Sequence, residues 1–431
     1  MTQWKQYPRT VLAGLLLVHV LAHIDRNILM GFSSQITTDL ALSNAQYGFL
    51  VGAVWVLSFG VMATVAGSLA DRYSRPRVMA VGLAIWSLCT AGSGLAHGFL
   101  GLSTARFFVA SGEAALVPAA VALITEIFPE QRRGTALGIF FTGIPIGIGC
   151  SFLLAGHLGE ALGWRHTFFT LGAVGLLALG PLLLLRESRR ESPRMAGSLD
   201  DHLHGTLVGR QVLEVFRHLR AHSAVMRTSI GFVLVHMGFV TLAFTQLWLV
   251  RERGLDASGI SKTLGLLQLG FGLLGSVLGG AFSDRLARRL PGGHCGVLAV
   301  LVVLCMPLII ASRLASAGST LMYVGLCANA FLPLAVYGPA LGVIQGRSPA
   351  HLRATVTGMQ MMAINVFAIA LGNLALGALS DALVQFGYPH ALTVTLLTGD
   401  FLALLALPLF VGAARRRGDA GPAVATPPVP N

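Results

Sequence analysis

Four charged residues stand inside long apolar stretches in the first half of the chain: Asp25, Arg26, Arg106 and Glu113, with Asp400 in the last such stretch as an outlier. An ionisable side chain at membrane depth costs at least ~2.5–3.5 kcal/mol, so it faces a cavity or a partner of opposite charge. A carboxylate paired with an arginine can give up that arginine to an incoming anion and bind a proton instead. This set therefore predicts a site for protons and for an anionic or zwitterionic small molecule.

The rise of an α-helix gives the depth of each charge. Because a helix rises ~1.5 Å per residue, a span that begins near Thr10 places Asp25 and Arg26 in its far half, ~100° apart around the axis. Arg106 and Glu113 are seven residues apart and share one face of another span. We expect Arg26 to pair with Glu113, since a long arginine can reach inward. Arg106 lies at the better depth for Asp25.

Two histidines share a helical face with Arg26, because His19, His23 and Arg26 follow i, i+4, i+7 spacing. Ordinary helix packing is the first interpretation, and a proton relay or cavity lining is the second. Zinc would need further ligands, and the sequence shows no convergent cysteine or carboxylate. We therefore expect no metal and no cofactor. Candidate cavity-lining residues in the second half of the chain are His236, Gln246, Tyr337, Gln360 and Asn365.

The elements that must position these residues are membrane spans. Hydrophobic residues make up 54% of the 431-residue chain and charged residues only 11%, against about 25% charge in soluble domains. A membrane span needs about 20 apolar residues. Twelve such runs lie near 10–30, 46–69, 78–97, 102–127, 137–158, 167–185, 226–250, 263–283, 295–312, 320–344, 355–379 and 390–413.

The chain has a net charge of +12, and the positions of its basic residues indicate how it crosses the membrane. Most arginines and lysines fall at one set of alternating span ends, which the positive-inside rule places in the cytoplasm together with both termini. This distribution argues against nucleic-acid binding. It indicates an integral protein of the cytoplasmic (inner) membrane, surrounded by the lipid bilayer.

A polar segment, 186–227, divides the spans six and six. Its apolar residues between Leu207 and Leu219 recur at helical spacing, which predicts an amphipathic helix along the cytoplasmic face. We therefore expect a six-helix bundle at 1–186, a linker with that helix at 187–224, a second six-helix bundle at 225–414 and a disordered tail at 415–431.

Three short motifs occur in both halves. "GSLADRYSRPR" (67–77) corresponds to "GAFSDRLARRL" (280–290), "RRGTALG" (132–138) to "LRATVTG" (352–358), and "GHLGEAL" (156–162) to "GALSDAL" (377–383). Each pair lies at corresponding spans and at nearly one offset, which predicts a parallel duplication.

The pattern Gly-x-Leu-Ala-Asp-Arg at 67–72, followed by Arg75 and Arg77, resembles the signature loop of the major facilitator superfamily. The twelve spans, their division and "GWRHTFF" (163–169) are also similar to that superfamily. The resemblance implies an all-α membrane protein: twelve transmembrane helices in two six-helix bundles related by pseudo-two-fold symmetry, with alternating access by rocking. It also implies a conformational latch formed by Gly67, Asp71, Arg72 and Arg75 and, in the second copy, by Asp284 and Arg285.

A narrower resemblance is carried by "HIDRNIL" (23–29), "LSNAQYGFLVG" (42–52) and "SGEAALVPAA" (111–120). These are similar to spinster-type members of the superfamily. That resemblance implies a proton-linked transporter of lysolipids, sphingoid lipids or other amphipathic anions. It assigns a part in coupling to Asp25, Arg26 and Glu113.

We therefore expect a monomeric secondary transporter, not an enzyme, that couples protons to an amphipathic or organic-anion substrate. The alternative among transporters is a symporter for uptake of sugar acids or aromatic acids. A transporter-fold sensor and a membrane-embedded lipid enzyme are alternatives from other classes. Neither the partner-binding soluble domain of a sensor nor the carboxylate or histidine cluster of such an enzyme stands out in the sequence.

Overall fold

The computed structural model describes residues 7–184 and 200–415, where all regular structure is helical. Ten helices in this part of the chain are long and apolar enough to cross a membrane. One of them, Glu130–Leu183, contains two of the expected spans, and the expected third span is a further helix, Arg75–Ser93. The all-α fold with twelve spans is thus confirmed.

Several spans consist of consecutive helical segments. Spans 1 to 4 are Pro8–Gly31 with Ser33–Asp39; Asn44–Gly48, Phe49–Ala53 and Val54–Arg72; Arg75–Ser93; and Phe99–Glu113 with Leu116–Ile127. Spans 5 and 6 are Glu130–Phe141, Gly143–Leu177 and Leu179–Leu184, and they meet at Gly163. Spans 7 to 9 are Ser223–Val235 with Met237–Arg251; Ala257–Leu267, Gln268–Gly272 and Leu273–Ala281; and His294–Leu314. Spans 10 to 12 are Thr320–Ala335 with Tyr337–Gly346; Arg353–Ala363, Ile364–Ala370 and Leu371–Gln385; and Ala391–Leu404 with Ala406–Arg415.

The turn between spans 5 and 6 depends on a single residue. Gly163 has φ 73° and ψ 170°, a region that essentially only glycine populates. The next residues fasten the turn: Trp164 Nε1 donates to Asp39 Oδ2 at 3.0 Å, and Arg165 donates to Asp39 and to the Ala96 carbonyl. The turn therefore holds the end of span 1 and the connection between spans 3 and 4.

Gly163→Ala is expected to destabilise the protein by about 1–3 kcal/mol, because a Cβ is strained at this backbone conformation. No atom would clash with that Cβ, so the loss reports backbone strain alone. The matched control is Gly134→Ala, in the helix Glu130–Phe141 and also without close neighbours, where alanine should gain about 0.5–1 kcal/mol. Thermal unfolding in detergent measures both, and equal changes in the two variants would contradict the role of Gly163.

The two bundles meet at the end remote from the chain ends, which we name the distal end. In the described residues, every side-chain hydrogen bond between spans 1–6 and spans 7–12 lies there. The Gln246 amide exchanges hydrogen bonds of 3.0 Å with the backbone N–H and the hydroxyl of Ser34. Arg251 Nη2 donates to Thr37 Oγ1 at 2.8 Å. These contacts and those of Glu160 and Asp381, below, form the distal seam.

The repeated motifs "GHLGEAL" and "GALSDAL" supply symmetric acids to the distal seam. Asp381 Oδ1 and Oδ2 accept the backbone N–H groups of Asn44 and Ala45, at the start of span 2, at 2.8 Å each. Glu160 Oε2 accepts from Lys262 and Ser258, at the start of span 8. Each acid ends a span of one bundle and binds the start of a span in the other.

Three spans contain a π-helical turn: Phe49–Ala53 in span 2, Gln268–Gly272 in span 8 and Ile364–Ala370 in span 11. Spans 2 and 8 carry theirs at corresponding places of the two halves. The turns of spans 2 and 11 touch across the bundle boundary, where a Cβ on Gly52 would stand 2.4 Å from the Ile369 oxygen.

The linker contains the expected helix, Asp200–Ala221. Val215 is buried, whereas Phe216 is 51% exposed. Glu214 Oε1 lies 3.0 Å from His351 Nε2, which attaches the helix to the start of span 11. The expected start of the linker and most of the expected tail lie outside the described residues, so the predicted domain boundaries stay predictions.

Candidate functional site in the first bundle

The adjacent residues Asp25 and Arg26 point in different directions, as their ~100° separation predicts. Asp25 is fully buried. The Thr90 hydroxyl and the Trp86 indole N–H face its carboxylate as donors, although neither reaches regular hydrogen-bond geometry. Arg26 is partly exposed and lies close to Tyr337 of span 10. Asp25 therefore faces the interior of the first bundle, and Arg26 faces the second bundle. The electrostatic neighbours of Asp25 are Glu113 and Arg106 of span 4 with Thr90 and Trp86 of span 3.

Arg106 binds the backbone of span 1 rather than a carboxylate. Its Nη1 donates to the Asp25 carbonyl at 2.8 Å and its Nη2 to the Arg26 carbonyl at 3.0 Å. The fork of the guanidinium fits two successive carbonyls, each of which has a second lone pair besides its helical bond. In this structure the two backbone bonds replace the ion pair that depth suggested for Arg106 and Asp25, and they join spans 1 and 4.

The indole of Trp55, in span 2, contacts both Arg26 and Glu113. The guanidinium carbon of Arg26 is 3.4 Å from the centroid of the ring, and Trp55 Nε1 donates to Glu113 Oε2 at 2.8 Å. Glu113 Oε1 is buried and has no hydrogen-bond partner among the described residues. The expected direct pairing of Arg26 with Glu113 is therefore not formed here. Sequence reasoning missed Trp55, because an aromatic residue in an apolar span carries no sign of the charges that it touches.

His19 and His23 form a hydrogen-bonded pair on the face that the spacing predicts. His19 Nδ1 lies 2.9 Å from the Phe140 carbonyl, and the two Nε2 atoms are 3.2 Å apart. Because a carbonyl only accepts, His19 Nδ1 carries a proton and donates it, and in the neutral ring its Nε2 accepts from His23. Span 5 passes close to both rings: a Cβ on Gly147 would stand 2.3 Å from His23 Cβ. The pair thus combines helix packing with a directed hydrogen-bond chain.

The candidate residues of the second half have different surroundings. Tyr337 lies beside Arg26 and stacks edge-on against both Phe232 and His236, with ring centroids 5.1 Å apart in each case. Gln246 belongs to the distal seam. Gln360 and Asn365 donate to backbone carbonyls of Ser229 and Met361, so their amides serve helix contacts in this structure.

A buried ion pair that sequence reasoning missed lies in the second bundle. Arg313 Nε is 2.9 Å from Asp400 Oδ2, and the two side chains are 0% and 2% exposed. The signal was present in the sequence, since a carboxylate within span 12 requires a cationic partner. Arg313 directly follows the apolar run 295–312, so its position alone indicates a span end rather than the interior of the bundle.

The expected latch residues have partners within their own bundle where the structure describes them. Arg75 Nη1 pairs with Glu126 Oε2 at 2.9 Å. Asp284 Oδ1 lies 3.0 Å from His294 Nε2, and Arg285 lies over the Phe282 ring. The surroundings of Gly67 and the side chains of Asp71 and Arg72 lie outside the described part, so the latch stays a prediction.

A protein-family model described as Major Facilitator Superfamily matches residues 15–373. The chain belongs to the Major Facilitator Superfamily. Among relatives in that superfamily, an MFS-type efflux pump of Mycolicibacterium smegmatis (strain ATCC 700084 / mc(2)155) is 29% identical over 407 residues, covering 94% of this chain and 92% of that protein. Protein spinster homolog 1 of Homo sapiens is 30% identical over 304 residues, covering 65% of this chain and 55% of that protein.

Solved structures agree on the fold of the superfamily. A crystal structure of a bacterial homolog to the human lysosomal transporter Spinster, in an inward-facing and occupied conformation, gives a TM-score of 0.79 at 22% identity and covers 95% of this chain and 97% of that chain. Membership of the superfamily, predicted from motifs, is confirmed, and so is the similarity to its spinster-type members. The chain is a membrane transporter for small molecules.

Proposed function

We propose that this protein is a proton-coupled secondary transporter of an amphipathic or other organic anion, in which Asp25 and Glu113 bind protons and Arg26 binds the anion. The observation that most supports this is the burial of both carboxylates with few donors: only Thr90 and Trp86 face Asp25, outside regular hydrogen-bond geometry, and Glu113 Oε1 has no donor among the described residues. An ionised carboxylate with few donors in a low-dielectric interior is costly, and a bound proton removes that cost.

Coupling follows from competition for positive charge. Arg26 interacts electrostatically with Glu113, and its N–H groups remain open to an anion. When an anionic group binds Arg26, it offsets the charge that stabilises ionised Glu113, and proton binding becomes more favourable. Arg106 stays on its two carbonyls as a fixed cation. The pair His19–His23 is the proposed proton relay between this site and the end where the chain begins.

The second bundle favours an amphipathic substrate over a sugar acid. A symporter for sugar acids or aromatic acids, the alternative, is expected to place a basic residue in each bundle. Among described arginines of the second bundle, Arg313 pairs with Asp400, Arg251 belongs to the distal seam and Arg227 donates to the Gly412 carbonyl. The neighbour of Arg26 on that side is instead Tyr337, whose ring packs edge-on against Phe232 and His236.

The proposal also covers the orientation of the protein in the membrane and the conformational state of this structure. The basic span ends favour cytoplasmic termini. We propose that the protein lies in the cell inner membrane and works as a monomer. With this orientation the distal seam closes the outer side and the site communicates with the cytoplasm. The loop with Asp71, Arg72 and Arg75 and its second copy at Asp284 and Arg285 then form the latch of the opposite state.

The test is transport in proteoliposomes with a pH dye inside, with lysophosphatidylglycerol and D-glucuronate as probes. We expect lysophosphatidylglycerol to move together with protons or in exchange for them. Glu113→Gln and Asp25→Asn should abolish accumulation against a proton gradient but keep substrate exchange, because only the proton site is lost. Arg26→Ala should abolish both. Glu214→Gln, an exposed carboxylate of the linker helix, is the control and should behave as wild type.

Two outcomes would overturn the proposal. Normal substrate-coupled proton flux in both carboxylate variants would remove Asp25 and Glu113 from coupling. Preferential transport of D-glucuronate would favour the sugar-acid symporter. A lipid-modifying enzyme is distinguished in the same vesicles, because it would return the probe chemically changed.

A further inference from the structure

One aromatic ring, that of Trp55, contacts both the residue proposed to bind the anion, Arg26, and a residue proposed to bind a proton, Glu113. Trp55 offers its face to Arg26, 3.4 Å from guanidinium carbon to ring centroid, and its N–H edge to Glu113 Oε2, at 2.8 Å. Both contacts are made in a partly buried environment, where a cation over an indole face is attracted by the electron-rich ring. No other described side chain touches both charges in this way.

Because Arg26 lies on the face of the Trp55 ring, the N–H groups along the edge of its guanidinium remain free to donate hydrogen bonds. We name this the donor edge. A guanidinium that lies on an aromatic face keeps its N–H groups in its own plane, where they point past the ring. In the part of the chain that the structure describes, those N–H groups donate to no acceptor. A carboxylate or phosphate in that plane can accept two parallel hydrogen bonds, which is the strongest geometry available to such a pair.

The consequence for Glu113 is different. The indole N–H satisfies one carboxylate oxygen, and the other oxygen stays without a donor. The charged groups that act electrostatically on Glu113 are Arg106, on its own span, and Arg26 and Asp25, on span 1. The indole therefore fixes which oxygen is left for a proton, without neutralising the carboxylate as an arginine would.

We propose that Trp55 is the positioning residue that keeps Arg26 and Glu113 apart, so that Arg26 presents its donor edge to the anionic group of the substrate while Glu113 keeps one oxygen for the proton. This inference rests on the proposed function for the role of Glu113. The part of the inference that concerns Arg26 depends only on the binding of an anion by the protein. The ring face and the ring edge thus have separate effects, and substitutions can separate them.

The two effects are separated by Trp55→Phe and Trp55→Leu. Phenylalanine keeps an aromatic face but has no N–H, whereas leucine keeps neither. In isothermal titration of detergent-purified protein with dodecyl phosphate, Trp55→Leu should weaken binding about 3- to 30-fold, the value of a cation–aromatic contact. Trp55→Phe should stay within about threefold of wild type.

The coupling readout is substrate-driven proton flux in vesicles. Trp55→Phe should lower it. Adding Trp55→Phe to Glu113→Gln should cause no loss beyond that of Glu113→Gln alone, either in this flux or in dodecyl phosphate affinity, because the N–H acts only through Glu113. The matched control is Phe59→Leu: Phe59 stacks on the same indole, with centroids 4.3 Å apart, and within the described residues no cation–aromatic contact joins it to Arg26. It should lower the melting temperature and leave affinity and coupling unchanged.

The outcomes that overturn the proposal are distinct from failure of the proposed function. Equal losses of affinity in Trp55→Phe and Trp55→Leu, or no dodecyl phosphate binding by wild type, would remove the role of the ring face. Additive losses in Trp55→Phe with Glu113→Gln would remove the role of the N–H. If wild type shows no coupled proton flux, the proposed function fails, and the order of affinities still decides whether Trp55 positions Arg26.

Discussion

Asp400→Asn is expected to destabilise the protein by about 3–5 kcal/mol, because it leaves the Arg313 guanidinium charged, buried and without its counter-ion. The pair lies in the second bundle with Nε and Oδ2 2.9 Å apart, and Arg313 is 0% exposed. Nη1 and Nη2 of Arg313 have no other acceptor among the described residues. Loss of one carboxylate therefore removes the only neutralising group that the structure gives this cation.

A double substitution separates the buried charge from the shape of the site. Arg313→Met with Asp400→Leu removes both charges and should recover most of the lost stability, because well-packed apolar residues can replace a buried ion pair without loss. Asp284→Asn is the control, since the Asp284 side chain is 75% exposed beside His294 and such pairs contribute about 0–1 kcal/mol. Melting temperatures and yields of folded protein measure the series. The interpretation fails if Asp400→Asn costs no more than Asp284→Asn.

Asp381→Asn is expected to shift the protein about tenfold away from the state with a closed distal end. Both carboxylate oxygens accept backbone N–H groups at the start of span 2, at 2.8 Å each. Hydrogen bonds to a charged group contribute about 1.5–3 kcal/mol, and these two exist only while the bundles touch. An asparagine keeps one acceptor and turns its NH₂ group toward the second N–H, so at least one bond is lost.

The shift can be measured as the distance between spin labels on the exposed residues Ala41 and Phe386, one on each bundle, by pulsed electron resonance. Glu160→Gln, at the symmetric position, should give a smaller shift, because Lys262 and Glu160 are 32% and 64% exposed and solvent screens their pair. Asp256→Asn is the control: Asp256 caps span 8 within one bundle, by accepting from Gly259 N–H. An equal shift in this control would mean that Asp381 acts through general loss of stability.

The sequence was sufficient for the fold, because span length and the depth of a charge follow from hydropathy and helix rise. It was also sufficient to place Asp25 and Arg26 on different sides of span 1, and His19 and His23 on one face. The pairing of charges could not be predicted in the same way, since it depends on the rotation of each span about its axis. A small rotation decides whether Arg26 meets Glu113 directly or through Trp55.

The repeated motifs also show that contacts between spans could not be predicted from the sequence. "GHLGEAL" and "GALSDAL" indicated a duplication, but nothing in their letters shows that Glu160 and Asp381 reach across to the other bundle. Such contacts depend on which spans of the two bundles become neighbours. Which spans become neighbours depends on how the two halves assemble, and the sequence of one half alone does not specify it.

The π-helical turns give spans 2 and 11 a way to change shape that ordinary helices lack. A π turn holds one residue more than an α turn, and removing this surplus rotates the rest of the helix by ~100° and lengthens it by ~1.5 Å. Because the turns Phe49–Ala53 and Ile364–Ala370 touch through Gly52 and Ile369, one span can turn and slide along the other while it exchanges i→i+5 for i→i+4 backbone hydrogen bonds. Such a twist would carry Trp55, only two residues beyond the first turn, around the axis of span 2, and with it the surface on which Arg26 rests.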